Sequence, residues 1–162
     1  MTRAVGVANF NLRHLKRLVA TTDTPPAVNQ IEFQPYYHDD ALHEYCRVHN
    51  VRVIAYGSLL KPGISPMYAA HRTSGQARSR GLQQVASSHG ATVISTALSW
   101  MIARGVAMIP RSTSADHLAE NLAVARRPIT LLANETAVID ALQNVARKQG
   151  YLKLWQDLEK MP

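Results

Sequence analysis

The sequence predicts a parallel α/β fold. Three observations lead there. Short β-type runs alternate with stretches of helical periodicity, polar residues gather at the C-terminal ends of those runs, and the run Val51–Tyr56 is largely apolar, as in a strand covered on both faces.

Taken in order, Arg3–Ala8 reads as a short strand. Asn11–Ala20 follows, with Leu12, Leu15, Leu18 and Val19 at helical spacing, and the Pro25-Pro26 pair breaks it. Ala27–Phe33 is the second strand; Asp39 or Asp40 caps a helix over Ala41–His49; Val51–Tyr56 is the third strand. Gly57–Ser79 has no clear period and is long for a connection. Arg80–His89 and Thr92–Arg104 read as helices separated by Gly90, with Thr92 as the cap of the second and Gly105 as its stop. Val106–Pro110 is the fourth strand, and Ser114–Val124 and Asn134–Arg147 are the last helices, with Val138, Ile139, Leu142 and Val145 on one face of the latter. The tail Gly150–Pro162 carries Tyr151, Leu154 and Trp155 without an evident place.

Four strands, each followed by helix, argue for right-handed βα units. A complete (β/α)8 barrel of the TIM type takes about 250 residues. With 162 residues the chain has room for about half of one. A small open α/β sheet is the alternative, and periodicity does not separate the two.

Composition narrows the function classes. Hydrophobic residues make up 46% and charged residues 18%, which is globular rather than disordered. No apolar run is long enough to span a bilayer and the N-terminus has no signal-peptide core, so no membrane partner is expected and a cytoplasmic protein is the default. Cys46 is the only cysteine, which suits a reducing compartment, and its helical spacing from Leu42 reads as core packing rather than a nucleophile. The net charge of +7 is spread along the chain, apart from Arg72 to Arg80 and the pair Arg126-Arg127. No basic block is interleaved with aromatics, so phosphate-bearing small ligands fit better than nucleic acid, and a solvated surface fits as well.

Among motifs, Gly6-Val7-Ala8-Asn9-Phe10-Asn11 puts Asn9 at a strand end, where parallel α/β folds gather ligands; the alternative is that Asn9 caps the next helix. In Asn29-Gln30-Ile31-Glu32-Phe33-Gln34 polar side chains interrupt a strand, which then lines a site or carries an internal network. Tyr56, followed by Gly57-Ser58, offers a wall for a planar ligand, or is core with its hydroxyl reaching the surface. Ile109-Pro110-Arg111-Ser112-Thr113-Ser114-Ala115-Asp116-His117 joins a strand end, a cation and three hydroxyls to a helix N-terminus: an anion site by physics, or a capped helix with a surface Arg. The seven His form no H-E-x-x-H pair or Cys/His array, so no metal is expected, and there is no G-x-S-x-G elbow or phosphate loop of the P-loop type.

Together the pieces resemble the aldo-keto reductase family. The matches are Gly6–Phe10, Asn29–Glu32, Pro35-Tyr36, Ala55-Tyr56, Ala97–Trp100 with Arg104–Val106, and Ile109–Ser112 running on to Glu120-Asn121. The resemblance implies strands five to eight of a (β/α)8 barrel over residues 1–148, a tail over 149–162, and an extended NADPH cofactor. By that resemblance Asn9 and Gln30 hold the nicotinamide carboxamide, Tyr56 stacks on its ring, and Ser58 and Leu59 approach the pyrophosphate. Arg111, Ser112 and Thr113 meet the 2′-phosphate with His117 beside them, and Glu120 and Asn121 contact the adenine. Ala8 stands where the family has Ser, Arg111 where it has Lys, His117 where it has Arg, and Ser58-Leu59-Leu60 where it has Pro-Leu-Gly; the partial charge of a histidine leaves NADH possible.

The family's catalytic Tyr, Lys, Asp and His lie on the first four strands, so no catalytic residue is expected within these 162 residues. The implied activity is reduction of a small carbonyl substrate, only if that other half is supplied. The alternatives are a non-enzymatic half-barrel that self-associates through its sheet edges, and a basic RNA- or membrane-surface binder. A homo-oligomer is expected because exposed strand edges seek partners.

Overall fold

The computed structural model of the chain describes residues 2–59 and 76–143. Its elements are β1 (Gly6–Ala8), α1 (Leu12–Thr21), β2 (Val28–Glu32), α2 (Asp40–Val48), β3 (Arg52–Tyr56), α3 (Gln76–Ser88), α4 (Val93–Ala103), β4 (Ala107–Met108), α5 (Ala115–Arg126) and α6 (Ala133–Asp140). The four strands form one sheet in sequence order, β1-β2-β3-β4, every pair parallel. The predicted parallel α/β class holds.

Register separates the two faces of the sheet. Val7 pairs with Asn29 and Asn29 with Val53, while Ile31 pairs with Ala55 and Ala55 with Met108. This row belongs to the core, where Leu15, Leu42, Cys46, Leu82, Leu98, Trp100 and Met101 cover it from the helices. The other row, Ala8, Gln30, Ile54 and Ala107, is exposed or half-buried.

Local chemistry sets the helix limits. Asp39, not Asp40, caps α2, its carboxylate accepting the Leu42 N–H at 3.1 Å. Thr92 caps α4 by accepting from Ser95 N–H at 2.9 Å, and Gly105 ends it at φ +70°. Strands β1 and β4 are shorter than the runs Arg3–Ala8 and Val106–Pro110 that predict them, as edge strands supported on one side only. Helix α3 begins at Gln76, four residues before the predicted start. Helix α6 stops at Asp140, short of the Arg147 that periodicity suggests; residues 144–147 and the tail, like residues 60–75, lie outside the described residues.

Beneath the helices a polar tie holds α2, α4 and α6 together. Asp140 accepts from Trp100 Nε1 at 2.9 Å and from Arg104 at 2.9 Å, and Arg104 also pairs with Asp40. Trp100 stacks on Phe33 with ring centroids 5.6 Å apart. His38 sits in the same cluster, fully inside; burial lowers its pKa, opposed in part by the Asp40 carboxylate. Burial lowers that of His43 as well. Cys46 is buried, and desolvation pushes its thiol up to about 11, so it is packing and not a nucleophile. None of the described helices is long and apolar enough to cross a membrane.

Candidate cofactor site

The site is built at the C-terminal ends of the strands. The chain leaves β1 through Asn9, a non-glycine residue in the left-handed region at φ 60°. Such a conformation costs about 1–2 kcal/mol and persists only where its surroundings impose it. Here they do. Asn9 N–H donates to Gln30 O at 2.8 Å. Asn29, fully buried, clasps the next residue from both sides: its Nδ2 donates to Phe10 O at 2.8 Å and its Oδ1 accepts from Phe10 N–H at 3.3 Å. The helix cap is Asn11, whose side chain accepts from His14 N–H at 2.9 Å with an extended backbone. A left-handed residue cannot serve as the N-cap, so the capping alternative for Asn9 falls.

Tyr56 closes this end of the sheet. Its hydroxyl donates to Asn9 Oδ1 at 2.8 Å, joining residues 47 apart in the chain. Between them in register, Gln30 pairs with Ala8 on one side and Ile54 on the other. Its half-buried side-chain amide, like Asn9 Nδ2, has no partner among the described residues. Asn9, Gln30 and Tyr56 are thus brought together. The strand β2 reading splits: Gln30 lines the open face, whereas Asn29, Glu32 and Gln34 are buried in internal contacts.

Beyond Tyr56 the chain turns through Gly57 at φ +66°, where a Cβ would meet the Glu32 side chain at 3.4 Å. Ser58 is then buried, its Oγ without a partner among the described residues. Leu59 packs its side chain on the core.

At the end of β4, Ile109 N–H donates to Ala55 O at 3.1 Å. Arg111 is exposed, with no ion pair or hydrogen bond among the described residues. Ser112 Oγ accepts from Ser114 N–H at 3.1 Å, and Ser114 caps α5. Thr113 and His117 are exposed beside them. Arg111 thus lies just ahead in sequence of the 12-residue helix α5, whose first turn carries Asp116. Glu120 is engaged elsewhere, accepting from Ser95 Oγ at 2.8 Å and from the Thr92 hydroxyl, and so ties α5 to the start of α4. Asn121 keeps a buried Nδ2 without a partner among the described residues.

Sequence reasoning missed Asn29 as the clasp of the β1–α1 turn. The signal was a fully polar side chain on a strand, but its partner is the backbone of Phe10, 19 positions earlier. A separate cleft of about 610 Å³ between α2 and α4 is lined by Arg47, Arg52 and Arg104. Glu44 pairs with Arg47, and Asp40 and Asp140 with Arg104, so two of the three cations are already neutralised. No group of three or more metal-ligating side chains occurs among the described residues.

Known proteins match this arrangement. A profile of the Aldo/keto reductase family matches residues 1–144. The chain belongs to that family. NADPH-dependent codeinone reductase 1-5 of Papaver somniferum is 34% identical over 123 residues, covering 76% of this chain and 37% of the relative. A (1S)-1,7-diacetoxy-luvungin A aldo-keto reductase of Citrus sinensis is 34% identical over 125 residues, again covering 37% of the relative. Among solved structures, an aldo-keto reductase complexed with NADPH, from the silkworm Bombyx mori, is 28% identical with a TM-score of 0.75, covering 88% of this chain and 43% of that one. A thermostable aldo-keto reductase bound to the inhibitor epalrestat gives a TM-score of 0.72 at 29% identity, covering 86% of this chain and 48% of that one. The chain thus spans well under half the length of these curated relatives and about half of the solved structures, and its four-stranded sheet corresponds to half of their barrel.

Proposed function

We propose that the C-terminal ends of β1–β4 bind a nicotinamide dinucleotide, NADPH before NADH, as the cofactor side of a carbonyl reductase. The observation that carries the reading is the convergence of Asn9, Gln30 and Tyr56 at three adjacent strand ends, with Asn9 Nδ2 and the Gln30 side-chain amide unpartnered among the described residues. The residues fit the cofactor. The amides of Asn9 and Gln30 suit the carboxamide, and the Tyr56 ring suits the face of the nicotinamide. Ser58 Oγ is buried and lacks a partner among the described residues, as a pyrophosphate contact would leave it, and the Leu59 backbone follows it. Arg111, Ser112 and Thr113, with His117, suit the 2′-phosphate, and Asn121 offers the adenine a buried Nδ2 that is unpartnered among the described residues. Glu120 acts in the same place by fixing α5 to α4. When bound, the cofactor supplies hydride to a carbonyl carbon.

The reading assigns no proton donor to these 162 residues, so the isolated polypeptide binds cofactor and does not turn over a carbonyl unless another segment supplies the acid. The single buried cysteine fits a reducing, cytoplasmic setting. Calorimetric titration of NADPH and NADH tests the site. Arg111→Ala should weaken NADPH by about tenfold or more, from loss of a charge-assisted phosphate contact, and leave NADH within about twofold. Equal losses would remove Arg111 from the 2′-phosphate role, and absence of saturable binding by either nucleotide would remove the reading.

A second reading is favoured by the open face of the sheet. Val5 and Ile109 are each 51% exposed at its margins, and the outer edges of β1 and β4 have no strand neighbour among the described residues. Pairing with a second copy would cover that face, burying about 2,000 Å² or more in a stable dimer. Light scattering at low micromolar concentration should report a dimer; a monomer with cooperative unfolding would reject it.

A further inference from the structure

We infer that the Tyr56 hydroxyl is a positioning group, which sets the orientation of the Asn9 amide toward the nicotinamide end of the ligand. The inference rests on the cofactor reading above and deepens it by separating the work of the Tyr56 ring from that of its oxygen.

The Asn9 side chain starts from a backbone that is held rigidly, by the Gln30 carbonyl on one side and the Asn29 clasp of Phe10 on the other. The left-handed φ of 60° belongs to the same turn. What the backbone leaves open is which end of the amide faces the ligand. An asparagine has an acceptor on one end and two donors on the other, and a flip exchanges them. The Tyr56 hydroxyl donates to Oδ1 at 2.8 Å, which commits that oxygen to the protein. Nδ2 is then the end that remains, unpartnered among the described residues, and it is a donor matched to a carbonyl oxygen. Ala8, the neighbour on the same turn, has no polar side chain to do this instead. The side chain of Gln30 makes no hydrogen bond to Asn9 either, so the pin comes from Tyr56 across 47 residues of chain. Its β3 is in register with β2, Tyr56 opposite Glu32, so the ring stays in place when the hydroxyl is removed.

The test is a double-mutant cycle on the full 162-residue chain, using Tyr56→Phe, Asn9→Ala and the pair. Binding is read with NADPH and with adenosine 2′,5′-bisphosphate, which lacks the nicotinamide. Tyr56→Phe keeps the aromatic ring, so it should weaken NADPH about five- to tenfold, the size of one hydrogen bond, and leave the bisphosphate unchanged. In the Asn9→Ala background the same change should cost less than twofold, because the hydroxyl then has nothing to orient. In the ligand-free chain, Tyr56→Phe should shift the Asn9 side-chain NH2 resonances while the thermal midpoint stays within about 2 °C. Full additivity of the two losses, an unchanged NADPH affinity in Tyr56→Phe, or unmoved Asn9 resonances would each overturn the positioning role with the cofactor reading intact. A wild-type chain that binds the bisphosphate and NADPH equally would show that the nicotinamide end makes no contact, and would overturn both.

Discussion

On the helix-facing side of the sheet the chain's own helices cover the strands, although His38 Nε2 and Arg104 Nε lack a hydrogen-bond partner among the described residues. Ile31, Val53 and Ala55 are buried against Leu42, Leu98 and Trp100, and the charged groups there are tied to one another through Arg104, Asp40 and Asp140. On the opposite side Ala8, Gln30, Ile54 and Ala107 lie exposed or half-covered, and at the strand ends Asn9 Nδ2 and Ser58 Oγ have no partner among the described residues. Buried polar groups are rarely left unmatched in folded proteins. One face is finished by the chain's own helices, whereas the other, open among the described residues, is the one to which the proposed function assigns a ligand.

Substitutions on the two sides should therefore differ in kind. Trp100→Ala, on the finished side, empties the centre of the core and removes one of the two donors to the Asp140 carboxylate, Arg104 remaining; it should cost about 3–5 kcal/mol in urea denaturation, enough to unfold a marginal domain. Asn29→Ala lies at the boundary. It leaves both backbone groups of Phe10 unmatched, so it should cost about 1–3 kcal/mol and also weaken NADPH, because Asn9 is set by the same turn. A stability loss with unchanged NADPH affinity would detach the clasp from the site.

Acidification offers a gentler way to strain the finished side. Burial holds His38 and His43 below the ordinary histidine value of about 6.5, so the unfolded chain takes up their protons first. Their contribution to stability is fully present above about pH 6.5 and is lost as the pH falls toward the depressed folded values. Asp40 and Asp140 oppose that shift at His38, while Arg104 adds to it. The urea midpoint should be lower at pH 5.5 than at pH 7.5, and His38→Gln should narrow the difference; an unchanged difference would assign the fall to other groups. The smallest effect belongs to the exposed surface. Arg52→Gln, exposed and in register with Val28, should change stability by no more than about 0.5 kcal/mol.

Parallel pairing and the cap Thr92 were legible in the sequence, with Asp39 as one of two candidates for its helix, because alternation of period and short polar caps are local signals; the cap Ser114 reads in the sequence as the first helical residue instead. Non-local physics hid the rest. The end of α6 depends on Asp140 meeting Trp100 and Arg104, some forty positions back. The pairing of Asn9 with Tyr56 and the clasp by Asn29 likewise join distant segments, and the left-handed backbone of Asn9 leaves no mark in composition. Gln76–Arg80 joins α3 without an apolar period to announce it. The bonds of Glu120 to Thr92 and Ser95 are likewise non-local, 28 and 25 positions apart.

The claim that the strand ends are a dinucleotide site is tested most directly by mapping amide resonances as NADPH is added to the chain. The account predicts shifts at Asn9, Gln30, Tyr56 and Arg111 to Ser114, with the helix-facing Phe33 and Trp100 and the arginine-lined cleft around Arg47 unmoved. Shifts confined to that cleft, or a spectrum unchanged at millimolar NADPH, would contradict it.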